Sequence, residues 1–168
     1  MTQFLRILGT ANTWIARVCL WGSAMGLAVM TLIIGWQVFA RYVLNDTPNW
    51  SEQFCLLLMI YYILFAAAVG VRDKTHIGLT FVRDAMPPLM KRFFFLFINI
   101  MLAAFGVTMI VYGLQMAQTT WTHVIPTLGL SVGLSYLPFP LAGVLFTLFA
   151  LEHLLGILFG VEVKPSWN

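Results

Sequence analysis

Four stretches of this chain run without a single Asp, Glu, Lys or Arg for long enough to cross a bilayer. They are Val18–Ala40, Phe54–Val71, Phe93–Thr122 and Val124–Leu151. At 1.5 Å per residue, about 20 residues cross a hydrocarbon layer of roughly 30 Å. The second run meets that length with little to spare, and the third and fourth exceed it. Lipid offers no partner to a backbone N–H or C=O, so each run must satisfy its own and be helical. Alternating strand patterns are absent, which excludes a barrel. Only 9% of the residues are charged, against about 25% in a soluble domain, and mean hydropathy is +0.91. The expected fold is an all-α integral membrane domain covering residues 1–168, with spans at roughly 18–40, 54–71, 93–119 and 133–158.

The first run is too long for the apolar core of a signal peptide and has no convincing cleavage site after it. It reads as an uncleaved first span. Basic residues then orient the bundle. Arg6 and Arg17 precede span one, while Arg72, Lys74, Arg83, Lys91 and Arg92 lie between spans two and three. Lys164 follows span four, and the opposite side carries Arg41 alone. The positive-inside rule therefore places both termini and the middle loop in the cytoplasm. The net charge of +3 reflects this asymmetry and not a nucleic-acid surface, since no basic stripe exists. Cys19 falls at the cytoplasmic end of span one and Cys55 at the outer end of span two, most of a membrane thickness apart, so both are expected to be free thiols.

The middle loop has its own pattern. From Thr75 to Met86, apolar Ile77, Leu79, Phe81, Val82, Ala85 and Met86 fill one half of a helical wheel, and His76, Thr80, Arg83 and Asp84 fill the other. Thr75 can cap the start and Pro87-Pro88 ends it. This predicts an amphipathic helix over 75–86 at the cytoplasmic interface, packed on phospholipid or on a protein partner. Gly22-x-x-x-Gly26 in span one and Ala66-x-x-x-Gly70 in span two are candidates for close helix packing. Gln37, Asn99, Gln115 and Gln118 are expected to make interhelical hydrogen bonds. Trp14, Trp21, Trp36, Trp50 and Trp121 sit where an aromatic belt would. The segment from Trp121 to Pro140 is apolar enough to dip into the outer interface.

Specific chemistry is sparse. No Gly-x-x-x-x-Gly-Lys phosphate loop occurs, and no Ser, His and Asp share a plausible surface. Spans one to three contain no charged residue, whereas ion-coupled transport draws on polar groups or broken helices near the midplane. Glu152, beside His153 near the cytoplasmic end of span four, reads as a helix-end charge reaching the interface or a basic partner. A haem sandwiched between helices needs facing histidines, and His76, His123 and His153 are not so placed. No enzyme activity, cofactor, metal or nucleic acid is implied. A haem-binding electron-transfer subunit and a small autonomous four-helix exporter stand as the rival readings.

The stretch Arg41–Thr80 resembles the small membrane subunit, DctQ/SiaQ type, of tripartite ATP-independent periplasmic (TRAP) transporters. The resemblance rests on Arg41-Tyr42 ending span one, Pro48 in a short loop, Trp50-Ser51-Glu52 opening span two, and Arg72 followed by His76-Ile77. Pro126-Thr-Leu-Gly-Leu and Tyr136-Leu-Pro resemble the loop before the family's last helix. Gln53 and Thr80 stand where the family often has an acid. The resemblance implies a sodium-coupled secondary transporter of the bacterial inner membrane that imports an organic acid, a sialic acid first and a C4-dicarboxylate next. A periplasmic binding protein delivers the substrate, and a larger polytopic subunit carries the transport sites. This chain would brace that subunit and hold no transport site itself. Arg41, Trp50, Ser51 and Glu52 are then candidates for periplasmic or partner docking, the alternative being a local role in which Trp50 anchors and Glu52 pairs with Arg41. Arg72, His76 and Arg83 are candidates for contact with lipid headgroups or the large subunit.

Overall fold

A computed structural model describes residues 2–73 and 87–159. Four long helices account for most of them: α1 Thr2–Phe39, α2 Ser51–Arg72, α3 Pro88–Thr119 and α4 Pro138–Phe159. Each contains a segment long and apolar enough to cross a membrane. The amphipathic stretch 75–86 lies outside the described residues.

Helix ends depart from the ends of the apolar runs for local reasons. α1 begins at Thr2, well before Val18, because Arg6, Asn12 and Arg17 interrupt apolarity without interrupting helix formation. At its other end the helix widens into a π-turn over Ala40–Leu44. Asn45 then stops it in a left-handed conformation (φ 53°), its N–H bonded to the Ala40 carbonyl. Asn is among the few residues that adopt this conformation at low cost. α2 starts at Ser51, a turn before Phe54, because the Ser51 hydroxyl and N–H both donate to the Pro48 carbonyl. α3 opens on Pro88, where a missing N–H costs nothing. α4 likewise opens on Pro138 and keeps Pro140 in its first turn, so neither proline breaks it.

Between α3 and α4 the chain forms a small hairpin. Strand β1 (Val124–Ile125) pairs antiparallel with β2 (Leu130–Ser131), in register Val124–Ser131 and Ile125–Leu130. Gly129, at φ +67°, closes the turn. A 3-10 turn over Val132–Ser135 follows, capped by Ser131, whose hydroxyl accepts from the Gly133 N–H and donates to the Trp121 carbonyl. The Tyr61 hydroxyl, near the middle of α2, donates to the Leu134 carbonyl at 2.9 Å. Ten residues separate Tyr61 from the start of α2 at Ser51, so the turn hangs about 15 Å down that helix. That bond ties the segment before α4 to α2.

The helices form a row more than a closed bundle. α3 packs along α4, α4 along α2, and α2 along α1, while among the described residues α1 and α3 share no comparable interface. Glycine sets the closest seam. A Cβ on Gly143 would lie 2.6 Å from the Gly106 carbonyl oxygen, and one on Gly113 would lie 2.6 Å from Pro140 Cδ. Gly26 touches the Tyr62 side chain across α1 and α2, but Gly22 has nothing within contact distance. The core is a short stripe around Ala16, Ala68, Val69, Ala142, Phe146 and Phe149. Both cysteines are free.

Candidate functional site

Polar side chains gather at the two ends of the row. At one end, the last residue of α2 turns inward. Arg72 is 2% exposed, and its guanidinium grips the Glu152 carboxylate with two parallel bonds, Nε to Oε2 at 3.1 Å and Nη2 to Oε1 at 3.2 Å. Two groups on α1 complete the cluster. Asn12 Nδ2 donates to Glu152 Oε2 at 2.9 Å, and Arg72 Nη2 donates to Thr13 Oγ1 at 2.8 Å. Thr13 passes its own hydroxyl proton to the Gly9 carbonyl, which keeps the oxygen oriented as an acceptor.

The backbone of Arg72 is held as well. Its carbonyl belongs to a helix C-terminus, where no intrahelical N–H is available, and it accepts a 2.9 Å bond from His153 Nε2. That bond sets the proton on Nε2 of the imidazole. Asp73 sits 3.5 Å from Arg72 Nη1, and the Phe149 ring lies 5.7 Å from the guanidinium carbon. A forked, desolvated Arg–carboxylate pair is among the most directional contacts a protein makes. Three helices contribute to it here.

Arg72, expected to face lipid headgroups or a partner, is therefore turned into the chain and occupied by Glu152. Glu152 does find a basic partner, but inside the row. His153 is buried against the Arg72 carbonyl, so its ring is engaged by protein. His76 and Arg83 lie outside the described residues. Of the membrane amides, Asn99 bonds back to the Phe95 carbonyl of its own helix.

The opposite end is open. Arg41 and Glu52 are both exposed and form no ion pair with each other among the described residues. Trp50 is half exposed, with its ring edge against Phe54 at 6.1 Å. Ser51, in contrast, is fully buried and donates to Pro48, so its role is to build the turn that presents its neighbours. Trp14, Trp21, Trp36 and Trp121 all point outward, as residues of a belt do.

The family model for the DctQ component of tripartite ATP-independent periplasmic transporters matches residues 30–160, from the last quarter of α1 through α4. The chain belongs to this family. It is 29% identical, over 83% of each chain, to the sialic acid TRAP transporter small permease protein SiaQ of Vibrio cholerae. A Haemophilus influenzae protein assigned as a TRAP transporter small permease is 26% identical over 68% of this chain and 70% of its own. The sialic acid TRAP transporter permease protein SiaT of Haemophilus influenzae is 26% identical over 48% of this chain, which is 13% of its much longer one. The chain is thus a multi-pass transporter subunit and not an enzyme, and neither the haem nor the exporter reading draws support.

Sequence reasoning missed Asn12 and Thr13, which precede both the first apolar run and the matched region. It also missed Gly106, Gly113 and Gly143. The signal for α3 was present: Ala103, Gly106, Ile110, Gly113 and Ala117 recur at helical spacing and place two alanines and both glycines on one face.

Proposed function

We propose that this DctQ-family subunit braces a larger transport subunit in the bacterial inner membrane and contributes no transport site of its own. One observation carries the reading: the buried Arg72 and Glu152 side chains bind each other in a two-bond fork, and Asn12 and Thr13 of α1 hold them from a third helix. A site that must bind and release an ion needs polar groups that exchange partners, and this cluster leaves little to exchange. The broad apolar faces of α1 and α3 suit a membrane partner or lipid. The SiaT relative, which contains a segment like half of this chain within a far longer permease, supports the same arrangement.

The transported substrate is an organic acid, a sialic acid by likeness to SiaQ, taken up with sodium after delivery by a periplasmic binding protein. Both termini face the cytoplasm, where His76 and Arg83 meet phospholipid headgroups or the large subunit. The open end faces the periplasm. There Arg41, Trp50 and Glu52 form the contact surface, on a turn built by Ser51. Native mass spectrometry after co-expression with the neighbouring genes of its operon tests the reading. One copy bound to one much larger membrane protein is expected. A lone chain that drives sodium-dependent sialic acid uptake in liposomes would overturn it.

A further inference from the structure

On α1 the described side chains that pack inward are small. Ala16 and Gly26 let the neighbouring helices approach, while the bulky buried side chains of the core, Val69, Phe146 and Phe149, belong to α2 and α4, so α1 itself inserts no large knob into a single hole. Outside the seam lies lipid, which is as apolar as the seam itself, so the hydrophobic effect does not choose among positions. α1 has 38 residues against 22 in α2. A slip of one helical turn, about 5.4 Å, would leave α2 covered along its whole length. Apolar packing alone leaves the axial register of α1 poorly determined.

We propose that the Arg72–Glu152 pair, with Asn12 and Thr13, is the register device of the row: four positioning residues that fix where α1 and α4 stand against α2. The geometry requires one alignment. The fork accepts Glu152 along two bonds at once, and Glu152 Oε2 and Arg72 Nη2 each make a further bond to adjacent residues of α1, Asn12 and Thr13. His153, the neighbour of Glu152, holds the backbone of the same arginine, so α4 is pinned through side chain and main chain together. A one-turn slip would carry Asn12 and Thr13 away from both charges. Buried ion pairs contribute little net stability relative to well-packed apolar residues, and fixing register is their best-attested use. The inference does not depend on the partner subunit proposed above.

Disulfide trapping in lipid nanodiscs tests it, using the full chain with Cys19→Ala and Cys55→Ala. Gly26→Cys with Tyr62→Cys reports the native register, because these positions already touch. Gly22→Cys or Met30→Cys, each with Tyr62→Cys, reports a slip of one turn in either direction. The native pair is expected to form about tenfold faster than either slipped pair. In the quadruple variant Asn12→Leu, Arg72→Met, Asp73→Asn, Glu152→Met, which leaves no carboxylate of the cluster buried without Arg72, that preference is expected to fall below about threefold while helicity is kept and the melting point stays within about 3 °C. Preference retained in the quadruple variant would overturn the proposal. So would unfolding of that variant, which would make the cluster a source of stability and not of register. Arg72→Lys keeps the charge without the fork and is expected to lower the preference at least about threefold; an unchanged preference would overturn the directional reading.

Discussion

Helices α1 and α4 are both apolar enough to span a membrane, yet 44% of the α4 span is buried within the chain and only 6% of the α1 span. Hydrophobicity does not separate them. Position in the row does, and position follows from side-chain size. α4 offers Ala142, Gly143 and Ala150 to its neighbours and admits two helices at once. α1 offers one narrow line through Asn12, Ala16, Ser23 and Gly26, while Trp14, Trp21, Met25 and Leu32 make its outer side bulky. In lipid, small residues decide which helix becomes central, and polar groups decide how it is aligned.

The largest test of this contrast is Glu152→Ala on the central helix. It leaves the Arg72 guanidinium buried without its carboxylate, and a loss of about 3–5 kcal/mol in unfolding free energy is expected from denaturant titration in mixed micelles. Next comes Gly143→Val, which forces atoms into the Gly106 backbone and is expected to cost about 2–3 kcal/mol by the same measurement. Tyr61→Phe removes one hydrogen bond to the hairpin. Its expected cost is about 0.6–1 kcal/mol, with faster amide exchange confined to residues 130–136. Smallest of all is Gly22→Leu on the edge helix, where no neighbour lies within 4 Å of the added Cβ. A change below about 0.5 kcal/mol is expected in the isolated chain. If Gly22→Leu instead proves as damaging as Gly143→Val, the two helices do not differ as their exposure implies. If it spares the isolated chain but blocks co-purification of the large permease, the bare side of α1 is a docking face.

The four helices were legible because uncharged runs of this length admit no other backbone solution in lipid. So was the open turn around Trp50. The polar cluster was only half legible. Arg72 and Glu152 are 80 residues apart, and each alone resembles an ordinary charge at a helix end. Asn12 and Thr13 precede the apolar run and carry no periodic signal of their own. Gly106 and Gly113 did carry one, seven residues apart on one face of α3, but the shorter Gly22-x-x-x-Gly26 pattern drew the attention and only its second glycine packs within the chain. A spacing motif shows that a helix can be approached closely; it does not show which helix comes.

Helix length varies across the row in a way that bears on the surrounding bilayer. The two inner helices, α2 and α4, have 22 residues each and the two outer ones, α1 and α3, have 38 and 32. In length these are about 33 Å for the inner pair and about 57 Å and 48 Å for the outer pair. The middle matches a bilayer core of roughly 30 Å, and the flanks overshoot it. Thr13 is level with Arg72 at the end of α2, so the eleven helical residues before it extend about 16 Å past that end. The protein is a plate with a thin centre and tall rims. Its tallest rim is a stiff post that continues past the Arg72 end of α2.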